Sequence, residues 1–171
     1  DHYASLGIAL VQDRVESIDT AARSIRLAQG KPLAYDRLLI ATGAHPVKPP
    51  IPGLDLPGVH PCWTMADARS IIARAAPGSR VVQVGAGFIG LEVAAVAVQR
   101  GCQVAVVEGA ERVMGRAVSP AVSDFYVAAH TAAGVAFHFG ATVREFAGTD
   151  RVAGVTTTAG KTLACDVAIV G

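Results

Sequence analysis

The sequence predicts an α/β fold with a doubly wound parallel sheet and an added antiparallel meander. From residue 80 onward, apolar segments of strand length alternate with longer segments of helical pattern, and the links between them are short. Two of the strand-length segments (102–107 and 167–170) are almost continuously apolar, and a third, at 80–84, is rich in valine. Continuous apolarity indicates burial on both faces, as in a parallel sheet. Strands that alternate with helices favour the doubly wound architecture.

The first part of the chain predicts a small antiparallel element and one buried strand. Residues 8–18 mix apolar and charged side chains, which suits a half-buried strand, and residues 24–27 and 33–35 flank a turn at Gly30 and predict a hairpin. Residues 37–43 are nearly all apolar and end in a turn of small residues, which predicts a short strand buried on both faces. Prolines then recur through residues 46–58, which predicts a stiff crossover and a domain boundary.

The later helices and strands are predicted from their end signals. Thr64 is a suitable N-cap for a helix over residues 64–76, with Asp67 as its capping-box partner, and Ser119 precedes a second helix over 120–133. A third, over 88–100, is apolar on nearly all sides and is expected to be largely covered. The meander is predicted by short strands at 142–146, 152–157 and 162–164, and residues 167–170 add a parallel strand to the sheet.

Composition limits the class of protein. The chain has 171 residues, 51% of them hydrophobic, which allows one domain with a sizeable core or one domain with part of another. A net charge of +1 gives no electrostatic case for nucleic acid or a membrane surface. No apolar run reaches the roughly 18 residues of a membrane span, and no signal-peptide pattern is present. The chain lacks an initial Met and stops at a strand, so we expect a piece of a longer protein.

The cysteines and histidines predict neither a disulfide nor a metal site. Cys62, Cys102 and Cys165 are far apart and lack C-x-x-C spacing, and the five histidines have no metal-ligand spacing. We expect these cysteines to be buried and to pack as small hydrophobic residues. They favour a reducing compartment, and the cytoplasm is the expected location. No nucleophile, acid or base has a recognisable local context, so no catalytic residue is assigned.

A G-x-G-x-x-G motif follows the strand at 80–84 and opens the helix at 88–100. Gly85 allows a tight turn, Gly87 lets the backbone approach a pyrophosphate, and Gly90 lets the helix pack closely on the strand. Unpaired N–H groups at the start of the helix would bind the phosphates. The motif predicts a dinucleotide site in a Rossmann-like unit, formed by Gly85, Ala86, Gly87, Phe88, Ile89 and Gly90.

Glu108 ends the next apolar strand, where this fold places the acceptor for the adenosine ribose. A carboxylate there accepts both ribose hydroxyls and repels a 2′-phosphate, which predicts NAD(H) rather than NADP(H). Arg112 and Arg116 are either solvated or contact a cofactor phosphate. Glu92 either complements the helix dipole or faces the nicotinamide.

The chain resembles the pyridine nucleotide–disulfide oxidoreductase superfamily. Four segments match its order of motifs: Tyr35-Asp36-Arg37-Leu38-Leu39-Ile40-Ala41-Thr42-Gly43, the glycine motif through Glu92, Val106-Val107-Glu108, and Cys165-Asp166-Val167-Ala168-Ile169-Val170-Gly171. The stretch from Glu108 to Met114, followed by Val118-Ser119-Pro120, is most similar to the ferredoxin, putidaredoxin and rubredoxin reductases of oxygenase systems.

This resemblance implies an FAD domain interrupted by an NAD domain. Residues 1–60 would be the end of the first FAD-domain segment with the crossover, and residues 61–171 the NAD(H)-binding domain. FAD would lie near Val15, Ala41, Thr42 and Gly43. NADH would bind at the glycine turn, Glu92, Glu108 and Arg116, and Gly171 would lie near the nicotinamide.

The implied activity is transfer of hydride from NADH to FAD and of electrons from FAD to a small iron–sulfur carrier of the ferredoxin or rubredoxin type. Such transfer between cofactors needs no catalytic acid or base. Two alternatives remain: an NADH oxidase or other disulfide- or peroxide-type relative, and a non-catalytic module that senses NAD(H).

Overall fold

The computed structural model describes residues 2–171, which form two compact units divided between His45 and Pro46. The first unit contains a short helix and a three-stranded antiparallel sheet, with β2 between β1 and β3. Its elements are α1 (His2–Ser5), β1 (Val15–Asp19), β2 (Ser24–Leu27) and β3 (Leu33–Ala34). The predicted hairpin is confirmed, since β2 pairs antiparallel with β3.

Two predictions for the first unit are wrong. Only the end of the 8–18 segment is a strand, because β1 begins at Val15. Residues 37–43 form no strand, and Leu39 and Ile40 are 86% and 65% exposed. A strand buried on both faces needs pairing neighbours, and no strand within residues 2–171 lies alongside this segment. Apolar composition alone therefore predicted a burial that these residues do not achieve.

The second unit begins with the proline-rich segment, which the sequence analysis grouped with the first sixty residues. It contains three helices and eight strands: β4 (Val59–Pro61), α2 (Met65–Arg74), β5 (Arg80–Val84), α3 (Phe88–Gln99), β6 (Gln103–Val107), α4 (Pro120–Ala132), β7 (Ala136–His138), β8 (Val143–Gly148), β9 (Val152–Thr157), β10 (Thr162–Ala164) and β11 (Val167–Val170).

Five of these strands form an all-parallel sheet in the order β4-β11-β5-β6-β7. The chain passes from β5 outward to β6 and β7, and later returns to place β11 on the other side of β5. The strand order therefore reverses between β5 and β11, and ligands of open α/β sheets bind outside the carboxyl ends of the strands at such a reversal. The glycine motif follows β5 at this edge.

Different layers cover the two faces of the sheet, which confirms the predicted α/β fold with a meander. Helices α2 and α3 pack on one face, where Ile71, Leu91 and Ala94 meet Val81 and Ile169. The antiparallel meander β10-β9-β8 packs on the other, where Phe146 and Val155 meet Val82 and Ala168. None of the helices among residues 2–171 is long and apolar enough to cross a membrane.

The capping box predicted for α2 is confirmed, whereas the predicted coverage of α3 is wrong. Thr64 caps α2, and Asp67 completes the capping box by accepting from the backbone N–H of Thr64 at 2.7 Å. Helix α3 is less covered than predicted, because Phe88 and Val96 are 59% and 49% exposed. Only the stripe of α3 that faces the sheet is buried, so its apolar outer face lies open in this unit.

Candidate functional site

The glycine turn joins β5 to α3 through a backbone shape that a side chain would disturb. Gly85 has a φ of +92°, and a Cβ there would lie 2.8 Å from the carbonyl oxygen of Gly171 at the end of β11. Both the left-handed conformation and this close approach require glycine. Gly171 in turn donates its N–H to the carbonyl oxygen of Val84 at 3.1 Å. The turn is thereby fixed between the two strands where the sheet order reverses.

Gly90 brings the first turn of α3 against the glycine turn. A Cβ at Gly90 would lie 2.2 Å from the carbonyl oxygen of Gly85 and 3.0 Å from Nε2 of Gln83. Gln83 is fully buried below this contact and donates to the carbonyl oxygens of Val84 and Gly85 at 2.8 and 3.3 Å. The packing role predicted for Gly90 therefore has a direct geometric basis.

A cleft of about 700 Å³ opens beside the glycine turn. Its walls are the start of α3 and the loop that follows β6, and it is lined by Ala86, Gly87, Phe88, Glu108, Ala110, Glu111, Arg112, Met114, Gly115, Arg116 and Ala117. Gly87 is the N-cap of α3 with an extended backbone, and no heavy atom among residues 2–171 lies within 4 Å of where its Cβ would be. The backbone at Gly87 is thus open to a ligand in the cleft.

The carboxylate of Glu108 lies in this cleft and is fixed by two backbone donors. Its Oε2 accepts from the N–H of Ala86 in the glycine turn at 2.6 Å, and its Oε1 accepts from the N–H of Ala110 at 2.8 Å. A carboxylate has about four acceptor positions, so each oxygen keeps capacity for another donor. The side chain is therefore oriented in advance to accept two hydroxyl groups.

Arg112 and Arg116, whose roles the sequence leaves open, differ in their contacts within the loop between β6 and α4. Arg112 is half-buried and donates to the carbonyl oxygens of Gly115 and Val118 at 2.5 and 2.8 Å, and to Oγ of Ser123 at 3.0 Å. Arg116 is exposed and lines the cleft. Both arginines thus line the cleft, but the guanidinium of Arg112 is already held by three protein acceptors.

Glu92 and Gly171 do not line the cleft itself. Glu92 is exposed on α3 and borders two smaller cavities. One is a groove of about 230 Å³ between α2 and α3, shared with Ile72 and Arg100, and the other, of about 180 Å³, is shared with Phe88 and Met114, which also line the cleft. Gly171 lies behind the glycine turn, against Gly85 and the start of α3. The structure thus brings Gly85 to Gly90, Glu108 and Arg116 together, and it does not bring Glu92 into the cleft.

Comparison with known proteins agrees with this geometry. The family model for pyridine nucleotide-disulphide oxidoreductases matches residues 3–171. The chain belongs to the pyridine nucleotide-disulphide oxidoreductase family.

Individual members of the family show the same relationship. Rhodocoxin reductase of Rhodococcus erythropolis is 42% identical over 158 residues, which are 92% of this chain and 37% of that protein. A ferredoxin reductase for the CYP199A2 system from Rhodopseudomonas palustris aligns with a TM-score of 0.82 and 40% identity, over 99% of this chain and 42% of that one. The reductase in a covalent putidaredoxin reductase–putidaredoxin complex aligns with a TM-score of 0.80 and 33% identity, over 100% and 43%. The chain thus spans about two fifths of the length of these relatives.

The residues that the family resemblance placed near FAD lie in the first unit. Val15 begins β1 and is 46% exposed, and Ala41, Thr42 and Gly43 are exposed and belong to no strand.

Two of the three cysteines are buried, as the sequence predicts. Cys102 and Cys165 are buried, Cys62 is half-buried, and all three are free thiols. Burial raises the pKa of Cys165 to about 11, so its thiol stays protonated at neutral pH. Within the described part of the chain, no three His, Cys, Asp or Glu side chains are grouped so that they could hold a metal ion.

Sequence reasoning missed two groups that shape the site. Ser123 is fully buried and donates to the carbonyl oxygen of Val113 at 2.7 Å while it accepts from Arg112. Met114 has a φ of +49° and donates its N–H to the carbonyl oxygen of Ala86 at 2.9 Å, which ties the loop to the glycine turn. The only sign of Ser123 in the sequence is its polar side chain within the mostly apolar first part of α4.

Proposed function

We propose that this chain is the NADH-binding portion of an FAD-containing reductase. The parent protein transfers hydride from NADH to FAD and passes electrons to a small iron–sulfur carrier of the ferredoxin or rubredoxin type. The NADH-binding domain corresponds to residues 61–171, and the preceding residues belong to the FAD domain. Three free cysteines support a reducing compartment, the cytoplasm, as the location.

The position of Glu108 is the observation that carries the proposal. Its carboxylate is held in the cleft next to the glycine turn, with acceptor capacity left on both oxygens. The two hydroxyls of an adenosine ribose match this acceptor pair, and a 2′-phosphate would meet a negative charge. NADH, not NADPH, is therefore the nucleotide that the cleft selects.

The other cleft residues fit the remaining parts of NADH. The backbone at Gly87 and the first N–H groups of α3 face the cleft without a covering side chain, which suits a pyrophosphate. Arg116 adds a positive charge at the opposite wall. These groups bind and orient the nucleotide, and hydride transfer needs no acid or base from the protein.

FAD and the electron carrier are proposed from family membership together with the order of the motifs. Bound FAD accepts a hydride and returns electrons singly, which is the chemistry that a carrier of single electrons requires. Val15 and residues 41–43 are the groups of this chain that would contact it. The relatives named rhodocoxin reductase and ferredoxin reductase, and the complex with putidaredoxin, support a small carrier as the acceptor.

Calorimetric titration with NADH and NADPH tests the nucleotide assignment on the 171-residue chain. The wild-type chain should bind NADH more tightly than NADPH. Glu108→Gln should weaken NADH binding about tenfold or more, because the ribose hydroxyls lose a charged acceptor, and it should reduce the difference in affinity between NADH and NADPH. Glu111→Gln is the matched control, since Glu111 lines the same cleft but is exposed. Failure to bind NADH, or a preference for NADPH, would overturn the assignment.

A further inference from the structure

The loop that forms the outer wall of the cleft is held by one side chain. We call residues 113–118 the wall loop. Arg112 precedes it, and its guanidinium reaches along the loop to the carbonyl oxygens of Gly115 and Val118. Two carbonyls from successive turns of the backbone are thus joined through one planar group. Arginine can do this because its donors are fixed in a fork, which lysine lacks.

The wall loop is also anchored from below. Ser123 in α4 is fully buried, accepts from Arg112 at 3.0 Å and donates to the carbonyl oxygen of Val113 at 2.7 Å. The hydroxyl therefore connects the guanidinium to the start of the loop. Because Ser123 has no exposed surface, it has no direct access to a ligand in the cleft.

The loop contains a backbone conformation that needs such support. Met114 has a φ of +49°, in the left-handed region that residues other than glycine rarely adopt, and it is 6% exposed. From this position its N–H donates to the carbonyl oxygen of Ala86 in the glycine turn. Of the two carbonyls held by Arg112, that of Gly115 follows Met114 directly and that of Val118 lies four residues after Met114. Arg112 thus holds the loop in the one shape that contacts the glycine turn and directs Arg116 to the cleft.

We propose that Arg112 is a positioning residue that sets the nucleotide affinity of the cleft, with Ser123 as its buried anchor. The inference rests on the proposed NADH site and adds to it a role for one residue at the edge of the cleft, Arg112, and one buried behind it, Ser123. Arg116 meets the nucleotide, whereas Arg112 fixes the loop that carries Arg116. Without the guanidinium of Arg112, the other residues of the cleft are still present, but the wall loop can move away from the glycine turn.

Binding measurements on the intact chain test this role. Arg112→Ala and Arg112→Lys should both weaken NADH binding about tenfold or more, because the cleft loses a preorganised wall. ADP-ribose should weaken by the same factor, since the loop lies beside Glu108 at the adenosine end. Added guanidinium ion should restore part of the NADH affinity that Arg112→Ala loses. It should not raise the NADH affinity of the wild type.

Ser123→Ala separates positioning from direct contact. It should weaken NADH binding about threefold to tenfold, because the buried hydroxyl loses its hydrogen bonds to Arg112 and to Val113 and the wall loop loses its anchor. Thr157→Val is the matched control: Thr157 is also buried and also donates to a backbone carbonyl, that of Lys161, but it does not line the cleft. If Ser123→Ala binds NADH like the wild type while Arg112→Ala does not, Arg112 is a direct ligand contact and the proposal is overturned.

Hydrogen exchange decides the role of Arg112 without nucleotide. The amides of residues 114, 117 and 118 donate within or from the wall loop and should exchange faster in Arg112→Ala, with the β5 and β6 amides unchanged. Unchanged exchange in the wall loop would overturn the positioning role. If the wild-type chain failed to bind NADH, the proposed function would fall, and the exchange result would still decide whether Arg112 holds the loop.

Discussion

Substitution of Gly90 by alanine should weaken the fold by forcing α3 away from the glycine turn. The added Cβ would lie 2.2 Å from the carbonyl oxygen of Gly85, and Cβ atoms essentially never approach other heavy atoms closer than 3.0 Å. The start of the helix must therefore move by the difference between 3.0 and 2.2 Å, about 0.8 Å. The obstacle is a backbone atom, and Gln83 packs beside it, so no flexible side chain can give way.

The expected loss follows from two opposing terms. Overpacking of a well-packed interior costs about 1–3 kcal/mol, and we take the upper part of that range, about 2–3 kcal/mol, because the obstacle is a backbone atom. Alanine is about 1 kcal/mol better than glycine within a helix, which offsets part of this cost. We expect a net loss of about 1–2 kcal/mol of unfolding free energy for Gly90→Ala. In a domain of this size that lowers Tm by roughly 2–8 °C. Denaturant and thermal unfolding of the chain measure it.

Gly87→Ala is the matched control at the same turn. Nothing in residues 2–171 lies within 4 Å of the added Cβ, and the φ of −76° is ordinary for alanine. Alanine is a poorer N-cap than glycine, but it also loses less chain entropy on folding, and the two effects nearly offset. Stability should therefore stay within about 0.5 kcal/mol of the wild type.

Gly87→Ala, which should leave stability nearly unchanged, should nevertheless lower the affinity for NADH. The new methyl group of Gly87→Ala stands in the cleft, so NADH affinity should fall although the fold is intact. A wild-type Tm for Gly90→Ala, or a larger loss of stability for Gly87→Ala, would refute the packing argument. Undiminished NADH affinity in Gly87→Ala would refute the close approach of a pyrophosphate at this position.

Two further predictions concern pH and thiol chemistry. Hydrogen bonds from Arg80 hold the pKa of Asp166 at about 2, below the ordinary 3.8, so this pair stabilises the fold fully above pH 4 and loses its effect as pH falls toward 2. Both side chains are nearly half exposed, so Asp166→Asn should cost only about 0.5 kcal/mol at pH 7 and nothing near pH 2, as urea midpoints would show. Cys165, whose pKa is raised to about 11 mainly by burial, should resist iodoacetamide in the native chain at pH 8. Cys62 should be labelled first, and mass spectrometry that found equal labelling of both would contradict the burial of Cys165.

The parts of the site that could be predicted from sequence depend on local chemistry. The capping box of Thr64 and Asp67 needs only residues three positions apart, and its geometry is as predicted. The G-x-G-x-x-G turn is likewise a local signal, since Gly85 and Gly90 meet each other across one turn. Glu108 was placed because it ends the strand next to β5, and parallel neighbours bring their carboxyl ends together.

The parts that could not be predicted depend on contacts between distant segments. The apolar pattern of residues 37–43 indicated burial, but burial requires neighbouring strands that pattern does not supply. The separate roles of Arg112 and Arg116 follow from the position of Ser123 in α4, and spacing in the loop gives no sign of it. Similarly, the exposed outer face of α3 depends on what packs against it, and its composition alone predicted coverage.

The central position of β11 has a consequence for synthesis of the protein. This strand is synthesised after β4, β5, β6 and β7, yet it lies between β4 and β5, and Asp166 just before it accepts from the N–H of Arg80, 86 residues earlier in the chain. Until it arrives, β5 has an unpaired edge bearing Val81 and Val82, which is a site for aggregation. The reversal of strand order that creates the cleft exists only once β11 has inserted. Chaperones that cover the edge of β5 should therefore matter most in that interval.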